Sequence, residues 1–258
     1  YYATSEYDNG IQMSAFGTIE NTEFATQYEQ SERVKQIRRL NPESCVDDKK
    51  DINILRNRMF YEAEQTLLKN KDTNIAFIEA PTGAGKSNLA MNCSLKLLDK
   101  NINKIFYVYP FNTLVEQNYD TLEKIYGQTD IFKSIAVINS ITPIPLNGTR
   151  KFWENLDIEE NEKFYQKALL DRQFLNYPFI LTTHVNLFQI MFGCEREAAI
   201  SFYQLAGSVV VLDEIQSYKN VLWTEIMMFL QCYSRLLNMK IIIMSATLPD
   251  LSQLVDGK

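Results

Sequence analysis

Three short runs in this chain carry almost no polar side chain: Lys104 to Tyr109 (K-I-F-Y-V-Y), Ser208 to Leu212 (S-V-V-V-L) and Lys240 to Met244 (K-I-I-I-M). A strand with one wet face alternates apolar and polar residues. A run without alternation needs cover on both faces, which is the condition inside a parallel sheet. The segments between these runs repeat their apolar residues at helical spacing, as Leu89, Cys93 and Leu97 do. Such strands alternating with helices predict an α/β fold, a mostly parallel sheet with helices on both faces. Ligands in such folds gather beyond the carboxyl ends of the strands.

Further strands are expected at residues 74–79, 134–139 and 179–182, and helices at 52–67, 86–98, 113–125, 184–192 and 221–237. Ile52, Leu55, Met59, Ala63 and Leu67 set the apolar face of the first helix. Phe106, Tyr107, Tyr109 and Phe111 read as core aromatics on alternating faces. Residues 141–172 hold Pro143, Pro145, a turn at Gly148 and a helical stretch near residues 164–170; the acidic stretch from Glu154 to Glu162 reads as a solvated insert. The first fifty residues differ. They are polar, with a short basic stretch (Arg33, Lys35, Arg38, Arg39) and a charge run from Asp47 to Asp51. They read as a linker or the tail of a preceding domain, with the folded domain covering 51–258. The chain opens on Tyr1-Tyr2 without Met, and reads as a piece of a longer protein.

The chain has 258 residues, and 26 basic against 32 acidic side chains give a net charge of -6. A protein that holds nucleic acid by bulk positive charge would look different, so any such contact must be local. No apolar run approaches the roughly 18 residues needed to cross a bilayer, and no signal peptide opens the chain. Cys45, Cys93, Cys194 and Cys232 are scattered with no C-x-x-C pair, which reads as reduced thiols in the cytoplasm. The one histidine, His184, follows a strand and reads as a structural hydrogen-bonding group; a His-rich metal centre is excluded.

Three loops carry the chemistry. Ala80-Pro81-Thr82-Gly83-Ala84-Gly85-Lys86-Ser87 lies between a strand and a helix. Gly83 and Gly85 let the backbone curl so that successive N–H groups converge on phosphates. The start of the next helix adds its positive dipole end. Thr82, Gly83, Ala84, Gly85, Lys86 and Ser87 are the nucleotide-binding candidates, with Lys86 reaching the β- and γ-phosphates of ATP and Ser87 ligating Mg2+. Lys86 is expected to face solvent in the empty loop. The common form of this loop has Gly where this chain has Ala80. Second, Asp213 and Glu214 stand together at the end of an apolar strand. Adjacent acids are costly unless they share a cation; Asp213 is the Mg2+ candidate and Glu214 the group that activates the attacking water. Third, Met244-Ser245-Ala246-Thr247-Leu248-Pro249 places two short hydroxyls, Ser245 and Thr247, in a tight turn. Alone, this turn reads equally well as a helix N-cap.

A-P-T-G-A-G-K-S, D-E-I-Q and S-A-T-L-P, in this order, resemble motifs I, II and III of superfamily 2 helicases. Tyr109 to Gln117 (Y-P-F-N-T-L-V-E-Q) resembles motif Ia, and Leu181 to His184 (L-T-T-H) motif Ib. The wording V-L-D-E-I-Q-S-Y, T-T-H-V-N-L-F and the opening Y-Y-A-T-S-E-Y is similar to type I CRISPR-associated helicase–nucleases. The resemblance covers about residues 74–249. It implies a first RecA-like P-loop NTPase domain of an ATP-driven translocase on single-stranded DNA. It implies Ser245 and Thr247 as couplers, and Pro110, Asn112, Thr113, Gln117, Thr182 and Thr183 on the nucleic-acid track. The implied partners are an RNA-guided CRISPR surveillance complex, a nuclease domain and a second RecA-like domain carrying the arginine finger. Many relatives have His where this chain has Gln216; an amide can still bridge the acid pair and the S-A-T turn by donating and accepting. Arg56, Asn57 and Arg58 lie roughly where an adenine-reading motif would stand. A restriction-system or RNA translocase, a small-molecule P-loop kinase and a nucleotide-gated binding module remain as other readings. A kinase has no need of S-A-T-L-P, and a module without catalysis would usually have lost Lys86 or Glu214.

Overall fold

The sheet is built from the apolar runs. The structure is a computed structural model that describes residues 21–39, 52–139, 171–194, 196–217 and 223–246. Its strands are β1 (Ile75–Glu79), β2 (Lys104–Tyr109), β3 (Ile135–Ile138), β4 (Phe179–Thr183), β5 (Ser208–Leu212) and β6 (Lys240–Ser245). They form one sheet in the order β1-β6-β5-β2-β4-β3. Every pairing is parallel.

Side chains of neighbouring strand residues point to opposite faces, and the sheet has a separate core on each. Ile105, Tyr107, Tyr109, Leu181, Val209, Val211, Ile242 and Met244 belong to one core. Phe106, Val108, Ile180, Val210, Leu212, Ile241 and Ile243 belong to the other. This double cover is why these runs show no alternation.

The first face is covered by α1 (Asn21–Gln30), α2 (Glu32–Arg39), α3 (Ile52–Lys69), α4 (Lys86–Leu97) and α5 (Asn112–Tyr126). The second is covered by α6 (His184–Phe192), α7 (Arg196–Tyr203) and α8 (Trp223–Leu236). The expected alternation of strands and helices is therefore present, with α7 an addition. Along α3 the expected apolar face holds for Met59, Ala63 and Leu67, which pack on the first core. Ile52 and Leu55 are 54% and 41% exposed, and Asn57 and Phe60 are the buried residues instead.

Residues 21–39 were expected to be linker or tail, and the structure corrects this. Phe24, Tyr28 and Val34 are buried in the first core. Phe24 stacks on Phe179 at 6.1 Å and tilts against Tyr126 at 5.3 Å. The Tyr28 hydroxyl donates to Asn88 O at 2.8 Å. A few large side chains suffice to anchor an otherwise polar segment to the core. The packed unit thus begins ahead of residue 51. Residues 1–20 and 140–170, including the expected insert, lie outside the described residues.

Candidate active site

The loops at the carboxyl ends of β1, β5 and β6 meet. Gly83 and Gly85 adopt φ of 79° and 88°, where a Cβ would crowd the carbonyl. Gly85 is also the N-cap of α4 and offers no side chain to its first turn. The first amides of α4 therefore keep an open face toward the loop. Thr82, Gly83 and Ser87 are exposed, and Ala84 and Gly85 half-buried. Lys86, expected to face solvent, is buried at 8% exposure. Its Nζ donates to Ala80 O at 2.9 Å and lies 3.3 Å from Glu214 Oε1. The curled loop surrounds the ammonium, and a carbonyl and a carboxylate replace the water it leaves.

β5 is buried at every position, and it delivers the acids into a dry setting. Asp213 N continues the ladder by donating to Val108 O at 2.9 Å. The Asp213 carboxyl is raised to about 6, first by burial and then by the Glu214 carboxylate; the Glu214 amide and Lys86 pull the other way. Glu214 has φ of 46°. A left-handed non-glycine residue costs about 1–2 kcal/mol, and such strain concentrates at functional sites.

The strand order brings the third loop to the acid pair. β6 lies between β1 and β5, with Ser245 in register with Glu79. The Ser245 hydroxyl donates to Gln216 Oε1 at 2.6 Å. The Gln216 amide donates in turn to Glu214 Oε2. Ala80 N closes the circuit on Ser245 O at 3.2 Å. Lys86, Glu214, Gln216 and Ser245 thus form one connected chain across all three loops. Thr247 lies outside the described residues.

The residues expected on a nucleic-acid track divide. Thr113 and Gln117 are exposed on the first turns of α5. The N-cap of α5, Phe111, caps nothing with its side chain. Phe111 is 57% exposed, not core as its neighbours are. Asn112 is half-buried, and its Oδ1 is buried without a partner among the described residues. Pro110 is buried. Thr183 is half-buried and caps α6, accepting from Asn186 N at 3.4 Å. Thr182 is not available. It is 1% exposed, donates to Ile138 O at 2.6 Å and accepts from Asn186 Nδ2 at 2.9 Å. Successive strand residues point to opposite faces, and Thr182 takes the buried side. His184 hydrogen-bonds the backbone of Tyr109 and Pro110, tying the β4 end to the β2 end; burial lowers its pKa below 6.5.

Two side chains of α3 have roles that no local pattern announced. Arg56 donates to Gly83 O from both Nε and Nη2, at 2.9 and 2.7 Å. Asn57 is buried and donates from Nδ2 to Ile37 O. Arg58 is exposed. The partner of Arg56 is 27 residues away, so neither periodicity nor motif spacing points to it.

Comparison with known proteins bears on the family and the fold. The DEAD/DEAH box helicase family matches residues 61–254. A CRISPR-associated nuclease/helicase Cas3 from Haloferax volcanii is 23% identical over 188 residues, covering 69% of this chain and 19% of that protein. The crystal structure of T. fusca Cas3 superposes with a TM-score of 0.52 at 18% identity, over 78% of this chain and 24% of that one. The DUF1998 helicase MrfA gives a TM-score of 0.50 at 17% identity, over 88% of this chain and 31% of that one. At these identities the two structures show a shared fold. The chain spans about a fifth of the length of the curated relative and a quarter to a third of the solved chains. With three quarters of its length matched and both faces of a parallel sheet in place, the chain belongs to the DEAD/DEAH box helicase family and forms a superfamily 2 helicase motor domain.

Proposed function

We propose that this domain hydrolyses ATP to drive movement along single-stranded DNA, as the first RecA-like motor of a CRISPR-associated helicase–nuclease in antiviral defence. The observation that carries the reading is the bonded chain from Lys86 through Glu214 and Gln216 to Ser245. It joins a phosphate-binding lysine to an acid and to a turn on another strand.

Thr82 to Ser87 would hold the triphosphate, with Lys86 on the β- and γ-phosphates. Ser87 and Asp213 suit Mg2+, which takes few protein ligands and leaves the rest to water and phosphate. The raised Asp213 carboxyl supports this, because two crowded acids gain from a shared cation. Mg2+ held there would supply neutralisation of the charge developing on the phosphates. Glu214 is spent on Lys86 in the arrangement described. A γ-phosphate competing for the ammonium releases this carboxylate to accept a proton from the attacking water. Gln216 then passes the change to Ser245, and Thr247 remains a candidate coupler from the sequence motif.

Pro110, Asn112, Thr113, Gln117 and Thr183 are the remaining candidates for the DNA track, Thr182 being buried. Exposed hydroxyls, amides and uncapped helix amides grip phosphates without net positive charge. A second RecA-like domain would supply the arginine finger, a nuclease domain would degrade the strand, and an RNA-guided surveillance complex would recruit the enzyme.

The test uses the full-length protein. ATPase is measured with single-stranded DNA, single-stranded RNA or no nucleic acid, for wild type and Lys86→Ala. The expected result is stimulation by DNA and loss of measurable turnover in the variant. Unchanged turnover in Lys86→Ala removes the site assignment. Stimulation by RNA alone removes the DNA reading.

A further inference from the structure

The phosphate loop is held from behind by a helix that is itself held by α1 and α2. Gly83 sits at the crest of the loop with φ of 79°. Its carbonyl receives two N–H groups of one guanidinium, Arg56 Nε at 2.9 Å and Nη2 at 2.7 Å. A planar fork closing on one acceptor fixes both its direction and its position. The remaining Arg56 nitrogen, Nη1, donates to Asn53 Oδ1 at 3.3 Å, one helical turn back. The adjacent residue, Asn57, is 2% exposed and donates to Ile37 O in α2.

Further along α3, a charge network holds the same helices together. Arg38 of α2 lies 2.7 Å from Glu64 of α3 and 2.8 Å from Glu29 of α1. Its guanidinium also stands 5.0 Å from the Phe60 ring centre. Asn92 of α4 donates to Glu64 at 2.6 Å, and Lys96 lies 3.2 Å from Glu29. The helix that begins at the phosphate loop is therefore bonded to α1 and α3 along its length. A cavity of about 290 Å³ opens between them, walled by Arg33 and Gln36 of α2, Arg56, and Gly85 and Asn88 at the loop.

We infer that Arg56 is a positioning residue for the phosphate loop, carried on a helix that α2 holds through Asn57. The inference rests on the proposed nucleotide site. A loop that binds phosphate through backbone amides needs its peptide planes aimed before the ligand arrives. The carbonyl of Gly83 and the amide of Ala84 belong to one peptide plane. That amide donates to Pro81 O at 3.2 Å, so holding the carbonyl fixes the Pro81–Ala84 turn and keeps this peptide plane from rotating. Without Arg56, the two φ-positive glycines leave the loop free to sample other turns.

The experiment compares Arg56→Ala, Arg56→Lys and Lys86→Ala in the full-length protein. Arg56 is half-buried and at the surface of α3, so its truncation leaves the core intact. Affinity for a fluorescent ATP analogue is read beside kcat and KM. Hydrogen exchange of residues 80–89 is followed without nucleotide. Arg56→Ala should weaken nucleotide binding and raise KM roughly tenfold, the loss expected for a charged hydrogen bond, with kcat little changed. Exchange in the loop should quicken before any nucleotide is added. Arg56→Lys, with one donor group for two, should recover part of the affinity. Unchanged affinity and exchange in Arg56→Ala, with Lys86→Ala inactive, overturn this inference while leaving the nucleotide site standing. A fall in kcat at constant KM also overturns it, since the residue would then act in the chemical step. An active Lys86→Ala overturns the underlying site instead.

Discussion

At the scale of single residues, the ionised state of Asp213 is held at a cost. An unfolded aspartate titrates near 3.8 and Asp213 near 6, because burial and the Glu214 carboxylate oppose its charge. Between those values the unfolded chain releases a proton that the folded carboxyl keeps. Stability therefore falls as pH rises through this window, and above it the full penalty stands at on the order of 2–3 kcal/mol. Asp213→Asn removes the charge and keeps the shape. In metal-free buffer at pH 7.5 the variant should melt several degrees above wild type, and the gain should vanish at pH 4. Equal melting at pH 7.5 would show that the carboxylate is not destabilised. Glu214 beside it has a left-handed backbone, so backbone strain and charge crowding fall on the same acid pair.

Among the secondary elements, α1 and α2 change most between expectation and structure. Their sequence is polar, and among the residues whose burial is described Phe24, Tyr28 and Val34 alone are buried. Those three side chains reach the first core, so the helices are fastened to it. Phe24→Ala should lower the stability of the folded domain by about 3 kcal/mol, the cost of emptying an aromatic site. Chemical denaturation of wild type and variant measures it. A difference under about 0.5 kcal/mol is what a linker residue would give, and would detach α1 from the domain. The β elements changed little, with β2 and β5 running over the residues expected of them.

For the molecule as a whole, the proposed function makes the phosphate loop, the acid pair and Ser245 one wall of a cleft. On the proposed reading, the opposite wall comes from a second RecA-like domain. An arginine finger contributes roughly 10³–10⁵ in rate at related phosphoryl-transfer sites. This 258-residue chain should therefore bind ATP–Mg2+ weakly and hydrolyse it slowly, with little response to DNA. Steady-state turnover of the chain and of the full-length protein, each with and without single-stranded DNA, makes the comparison. DNA-stimulated turnover of the chain at the full-length rate would mean that one wall is enough.

Much of the architecture was legible because its causes are local. Val209, Val210 and Val211 need cover on both faces wherever the strand lies, and Gly83 and Gly85 permit the same turn in any context. Hydrophobic period and backbone freedom are properties of neighbouring residues, so the strands, the helices and the three loops could be placed before any contact was known. The connections could not. Ala80 meets Ser245, and Arg56 meets Gly83, only because the chain returns to the same place. β6 enters the sheet between β1 and β5, and this long-range choice threads Gln216 between Glu214 and Ser245. Burial is decided at the same level. Lys86 turned inward to a carbonyl and a carboxylate, and Thr182 took the covered side of its strand. A side chain's exposure depends on what packs over it, and packing partners far apart in sequence leave no mark in local spacing.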